Sequence, residues 1–294
     1  MFDYKLLEAL AMVVQEGGFE KAARVLAISQ SAVSQRVRQL EDRVGQILLS
    51  RGSPPQATPL GRVMVKHYRQ VKLLEDNFFE TASEALKTDF TSLAIGVNAD
   101  SLATWLPKAT QNFLAEGKVV FDLHVDDQDE THRLLKNGKV VGCISTSDAV
   151  MQGCRVDYLG CMIYRLVASP DFATRWFPAG VTREAVEKAP GILFNRKDML
   201  NQHFFRTLLG DINFSGPTFF VPSSESFVDI IVSGLAYGLV PDQQSQSFLE
   251  TGELVELTPE LQLPVQLYWH CWSIDSDILK KLTHCVVQGA SEWL

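Results

Sequence analysis

The stretch SQSAVSQRVRQLED, residues 29 to 42, constrains the fold more than any other segment of the chain. Val33, Val37, Leu40 and Val44 recur at the i, i+4, i+7, i+11 spacing of a helix's buried stripe, whereas Ser31, Ser34, Gln35 and Arg38 project from another side. Two further helical patterns precede it. DYKLLEALAMVVQEG sets Leu6, Leu10, Val13 and Val14 on one face, starts after Asp3 as a cap and stops at Gly17-Gly18. FEKAARVLA is a short helix with Ala22, Ala23 and Leu26 inward; Ala27-Ile28-Ser29 turns the chain, and Ser29 caps the helix that follows. Two short helices joined by a tight turn, with alanines where they cross, make a helix-turn-helix.

In that motif the second helix enters the major groove of double-stranded DNA. Gln30, Ser31, Ser34 and Gln35 are short hydrogen-bonding groups suited to base edges or phosphates, and Arg38, a turn further on, reaches guanine or a phosphate. A solvated face on a core helix is the alternative for the same residues. The next segment, GQILLSRGSPPQATPLG, reads as a strand, a Gly/Pro turn at Pro54-Pro55 and a return into Thr58-Pro59, a wing that carries Arg51 toward backbone phosphate. Thr58 caps a long helix, Pro59 fills its first position, and the helix is expected to run to about Thr88. Leu60, Met64, His67, Val71, Leu74 and Phe78 alternate at steps of four and three residues, a coiled-coil seam that calls for a second copy of the helix and hence a dimer.

Charge is divided along the chain. Residues 1–72 hold 11 Lys/Arg against 6 Asp/Glu and residues 73–294 hold 16 against 29, giving −8 overall, so a small basic module is joined to a larger acidic one. No apolar run approaches the ~20 residues of a membrane span, and the start has no secretory pattern, so the cytoplasm is expected. The five cysteines are odd in number and lack zinc spacing, which reads as reduced thiols.

From about Ser92 the chain alternates strands and helices. SLAIGVNAD, VVFDLHVDD and VVGCIS are strands separated by the helices SLATWLPKATQNFLAEG and DETHRLLKNG; a second series runs from LGCMIYRLVASP to LPVQLYWHCW. Consecutive parallel strands with helices on both faces are expected, an α/β class. Ligands of such sheets sit outside the carboxyl ends of strands. Those ends carry Asn98, Ala99, Asp100 and Ser101, Ser145, and Ser223, Ser224 and Glu225. Asp100 or Ser101 is expected to cap a helix beginning near Leu102, and Ser223 or Ser224 the helix carrying Phe227 and Ile230. Capping alone would account for all four. Acids collect at the same ends: Asp100, Asp126, Asp127 and Glu225, with Asp100 and Glu225 preferred over Asp126 and Asp129, whose DDQDE run reads as a solvated loop.

Enzyme signatures are missing: there is no Gly-rich phosphate loop, HExxH or GxSxG, and GLAYGLVP follows a helix instead of opening one. His124 and His132 match no common metal spacing. No enzyme activity, metal or cofactor is expected.

Assembled in order, LEALAMVVQEGGFEKAARVLAISQSAVSQRVRQLEDRVGQILLSR, then TPLG and a long helix, resemble the LysR-type transcriptional regulators over the whole chain. SQSAVSQRVRQLE, RGSPPQATPLG, VNADSLATWLP, SSESFV and LYWH resemble the arginine- and lysine-responsive ArgP/LysG branch. The resemblance implies a winged helix-turn-helix domain over 1–58, a linker and dimerisation helix over 59–88, and an effector domain over 89–294. That domain would have two α/β lobes like periplasmic binding proteins, lobe I about 89–161 with 268–294 and lobe II about 162–267. It further implies lysine or arginine as effector, control of basic amino-acid export or metabolism genes, RNA polymerase as a partner, and at least a homodimer, with a homotetramer the larger assembly. A cationic amino acid would set its carboxylate on helix N–H groups and serines and its side chain on Asp100, Asp127 or Glu225. A regulator of another effector, a solute-binding module for transport and an architectural DNA protein are the alternatives. The missing secretory start and the basic wing and seam weigh against the second, and the expected cleft against the third.

Overall fold

A computed structural model describes residues 3–50, 52–82, 90–125, 128–210 and 216–294, without the side chains of 77–82 and 128–130. Arg51, Asp126 and Asp127, and the side chains of Phe78 and Asp129, therefore lie outside the described residues.

Three helices form the N-terminal unit: α1 Tyr4–Glu16, α2 Phe19–Val25 and α3 Gln30–Val44. Asp3 caps α1 by accepting from the Lys5 N–H at 3.0 Å, and Gly17, at φ 70°, closes it in the left-handed region that glycine tolerates. The turn before α3 holds Ala27 at φ 52°, and Ser29 accepts from the Ala32 N–H at 3.1 Å. Leu6, Leu7, Leu10, Val13, Val33, Val37 and Leu40 bury together as its core.

The wing is shorter than its sequence suggests. Instead of a strand pair, one bridge joins Leu49 to Ala57, because Pro54 and Pro55 lack the N–H groups a longer ladder needs. Glu41 secures it, its carboxylate accepting from the Leu48 and Leu49 N–H groups at 2.7 and 3.3 Å.

Thr58 accepts from the Gly61 N–H at 3.1 Å to start α4, Pro59–Ala82. The expected seam is corrected along its first half. Met64 is buried in the N-terminal core with Val65 and Tyr68, and Leu60 packs against the same core, because this flank of α4 covers the open side of α1. His67 is exposed and stacks on Tyr4. Val71 is half-buried, Leu74 is exposed, and Leu73 between them turns into the core of the second unit.

That unit runs β1 Thr91–Val97, α5 Ala99–Ala103, α6 Leu106–Glu116, β2 Val119–Val125, α7 Gln128–Lys136, β3 Gly142–Ser145, β4 Cys154–Ala168, α8 Pro170–Trp176, α9 Arg183–Lys188, β5 Gly191–Leu193, α10 Leu200–Leu209, β6 Thr218–Phe220, α11 Ser224–Val232, β7 Gly238–Pro241, α12 Asp242–Thr251, β8 Val255–Glu256, β9 Leu263–Trp272 and α13 Asp277–Trp293. The main sheet has the order β2-β1-β3-β9-β4-β7, with β8 on β4; β5 and β6 pair separately. Parallel pairing is found for β1 with β2 and β3, but β9 is antiparallel to β3 and β4, and β4 to β7. The sheet is mixed because β4 and β9 are the two chain crossings, run in opposite directions and pair along nearly their whole length, with a bulge between Tyr158 and Gly160. Trp105, Trp269 and Trp272 bury on the side of β1 to β3. Ile192, Val228, Ile231 and Val240 bury at the other end. The two ends are the two lobes, and a cleft opens between them.

Candidate functional site

The exposed face of α3 is built from Gln30, Ser31, Ser34, Gln35 and Arg38, all solvent-accessible, while Val33, Val37 and Leu40 anchor the opposite face. No carboxylate interrupts those five positions, so the face presents donors, amides and one cation. Pro54 is exposed and Pro55 half-buried at the tip of the wing. This is the chemistry of a helix that approaches a polyanion and reads hydrogen-bonding edges.

The cleft has a volume of about 350 Å³. From lobe I it is lined by Asn98, Ala99, Asp100 and Thr146, and from lobe II by Lys197, Asp198, His203, Ser224, Phe227 and Gln244. Tyr164 of β4 and Gln266 of β9 line its floor. Asp100 crosses the opening: its carboxylate accepts from the Tyr164 hydroxyl and from the Ser224 hydroxyl, each at 2.6 Å. Burial raises its pKa, and the two hydroxyls pull the other way. Ser224 has one hydrogen for two neighbours, since the Gln244 side-chain oxygen lies 2.9 Å from it. Either Asp100 holds a proton and donates it to Ser224, or Gln244 offers its amide hydrogens instead. Asn98 is buried, and among the described residues neither atom of its amide has a hydrogen-bond partner. An orphaned amide on the wall of a cleft is what a hydrogen-bonding ligand or ordered water satisfies.

Several expectations are corrected here. α5 begins at Ala99, three residues before Leu102, so Asn98 and not Asp100 or Ser101 is its N-cap residue. That earlier start frees the Asp100 carboxylate to span the cleft. Ser101 is fully buried behind the wall, its hydroxyl unpaired among the described residues. Ser145 is buried at the end of β3 and accepts from the Ser147 N–H at 3.2 Å; its neighbour Thr146 lines the cleft in its place. Ser223 caps α11 through the Ser226 N–H at 3.3 Å and also donates to Glu225. Glu225 is exposed and does not face Asp100. The lobe II carboxylate on the cleft is Asp198, which accepts from the Phe194 and Leu200 N–H groups at 3.2 and 3.0 Å. No sequence signal marked Tyr164, Asp198 or Gln244.

Comparison with known proteins decides the family. Residues 4–62 match the model of the bacterial regulatory helix-turn-helix protein, lysR family, and residues 89–285 match the LysR substrate binding domain. The chain belongs to the LysR family of transcriptional regulators. This LysR-type regulator is 43% identical over 296 residues to the HTH-type transcriptional regulator ArgP of Pseudomonas fluorescens strain Pf0-1, covering 100% of this chain and 99% of that one. Its structure resembles ArgP from Mycobacterium tuberculosis, with a TM-score of 0.86, 38% identity, and coverage of 99% and 98%. It also resembles full-length LysG from Corynebacterium glutamicum with bound effector Arg, with a TM-score of 0.78, 33% identity, and 99% of each chain covered. The relatives are named as regulators and not as enzymes, in line with the missing catalytic motifs. Among the described residues no helix of the regulator is long and apolar enough to cross a membrane.

Proposed function

We propose that this regulator senses lysine or arginine in the cleft and in response controls genes of basic amino-acid export or metabolism. The observation that carries the reading is Asp100, a buried carboxylate between the lobes whose partners are hydroxyls. A basic amino acid at neutral pH carries two cations and one carboxylate. The cleft offers the complement, Asp100 and Asp198 for the cations and Lys197 with the Asn98 amide for the carboxylate. Arginine bound to LysG, a relative over the full chain, supports the same effector class.

On DNA, Gln30, Ser31, Ser34, Gln35 and Arg38 read the major groove, and the wing with Arg51, Pro54 and Pro55 lies on the backbone. The domains divide at 1–58, 59–88 and 89–294. Val71 and Leu74, with Phe78, form the part of the α4 seam left for a homodimer, which pairs further into a homotetramer and engages RNA polymerase from the cytoplasm. A thermal-shift screen of the twenty amino acids on the purified protein tests the effector. Stabilisation by lysine or arginine above the others is expected; stabilisation by another class, or by none, overturns the assignment.

A further inference from the structure

Among the described residues the linker helix meets lobe I along one face, at Lys66, Arg69 and Leu73. Arg69, midway along α4, donates through one guanidinium nitrogen to the Gly138 carbonyl at 2.6 Å and the Lys139 carbonyl at 2.9 Å, in the turn between α7 and β3. One turn earlier on the same helix, Lys66 lies so close to Gly138 that a Cβ there would stand 2.5 Å from the Lys66 Cβ, and Gly138 has φ +68°. Glycine is required on both counts. Leu73, one turn later, is buried in the core of the lobe. Beside this contact lies a crevice of about 540 Å³ between the N-terminal unit and lobe I, lined by Met12, Val25, Phe90 and Asp122 among others. Burial lowers the Arg69 pKa and Asp122 partly offsets that, so this guanidinium is held in place against a desolvation cost.

What the turn connects to gives the contact its meaning. Val141 donates to the Ala94 carbonyl, and β3 then pairs with β1 through Gly142 and Cys143. β1 leads straight to Asn98 and β3 straight to Thr146, both on the cleft. From Lys139 to Thr146 an extended chain covers about 23 Å, at roughly 3.3 Å per residue. At its other end α4 is part of the N-terminal core through Met64, Val65 and Tyr68. We propose that Arg69 is the positioning residue that fixes the linker helix to lobe I, so that a change in the cleft reaches the DNA-binding unit through the Gly138-Lys139 turn. The cleft half of this statement rests on the effector reading above; the joint itself does not.

Arg69→Met is the test, because it keeps an unbranched apolar stem and removes both hydrogen bonds. Arg69→Lys is the control, since an ammonium can still donate to two carbonyls. Nitroxides at exposed Lys21 and Gln111, attached through a keto amino acid that spares the native cysteines, report the distance between the two units by electron–electron resonance. Labelled chains are diluted into unlabelled protein. The parent and Arg69→Lys are expected to give a narrow distribution and Arg69→Met a broad one. In the same variants, the factor by which saturating lysine or arginine changes operator affinity falls at least fivefold in Arg69→Met, while the amino acid's own affinity for DNA-free protein stays within twofold. An unchanged distance distribution in Arg69→Met overturns the joint. A broad distribution with an undiminished operator response overturns its role in coupling. Should the parent bind neither amino acid, the effector reading fails, and the distance arm alone decides whether Arg69 is the joint.

Discussion

Replacing Asp100 by Asn separates a ligand-recognition carboxylate from a structural one. The carboxylate is buried and accepts two hydroxyl hydrogen bonds at 2.6 Å. Asn keeps the shape: its oxygen accepts from one hydroxyl, and its amide donates to the oxygen of the other. What disappears is the charge. Removing one partner of a buried charge pair costs about 2–5 kcal/mol of binding. The lower part of that range applies here, because Tyr164 and Ser224 already solvate the anion in the free protein, so about 2–3 kcal/mol, roughly a 30- to 150-fold weaker Kd for lysine or arginine, is expected.

Stability moves the other way. An unfolded aspartate ionises near its ordinary 3.8, whereas burial raises the folded value. Between the two values the folded chain holds a proton that the unfolded chain has lost, so stability falls as pH rises through that window. Asp100→Asn has no proton to lose, and its Tm without ligand is expected to exceed the parent's at pH 8 and to approach it near pH 4. Calorimetry adds a third reading. A cation entering the cleft favours the ionised form of Asp100, so affinity in the parent falls toward acid pH while that of Asp100→Asn does not. Parent-like lysine and arginine affinity in Asp100→Asn, or a parent affinity that stays flat toward acid pH, would refute the assignment of Asp100 as the charge that recognises the effector.

Glu225→Gln is expected to bind basic amino acids within twofold of the parent by calorimetry, since Glu225 is exposed outside the cleft; a loss as large as that of Asp100→Asn would put it back in the site. Gln35→Ala should weaken operator binding by about 1–3 kcal/mol in fluorescence anisotropy while sparing random duplex, and equal losses on both would make Gln35 a phosphate contact. Val71 and Leu74 replaced together by Asp should lower the mass of the assembly in light scattering by breaking the α4 dimer, because charge would be buried between two helices; an unchanged mass would place dimerisation elsewhere.

The parts of the molecule that were legible in the sequence are those whose causes are local. The α3 faces follow from positions 33, 37 and 40 against 31, 34, 35 and 38, and Ser29 caps where a serine before an apolar repeat should. The strand–helix alternation was equally readable, since each segment is a few residues with its own periodicity. The wing was over-read because the bridge at Leu49 and Ala57 is limited by two prolines whose effect on pairing depends on the partner strand. The seam was over-read because a four-three repeat looks the same whether its partner is another chain or α1. In the cleft the reason is distance along the chain. Asp100 meets Tyr164 and Ser224 from 64 and 124 residues away, and Arg69 meets Gly138 from 69 residues away. Glu225 misses the cleft by its place on the helix: α11 turns Ser224 and Phe227 to the cleft and leaves Glu225 outside.

Two sets of charges beside β4 support the proposal that the cleft, and not the rest of lobe II, takes a cation. On β4, Arg165 donates to Asp242 at 2.5 Å and to Glu256 at 2.6 Å, so each charge there already has an opposite charge within hydrogen-bond reach. One residue earlier on that strand, Tyr164 points to the other side and meets Asp100, whose partners among the described residues are hydroxyls and not cations. An ion pair that is already satisfied gains little from a ligand. A buried carboxylate whose pKa is raised, beside an amide with neither atom paired, leaves roughly 1–3 kcal/mol per unmet polar group to be recovered on binding. The incomplete pairing sits where one small molecule would touch both lobes through Asp100 and Ser224, and closing it is what would hold the lobes at a fixed angle.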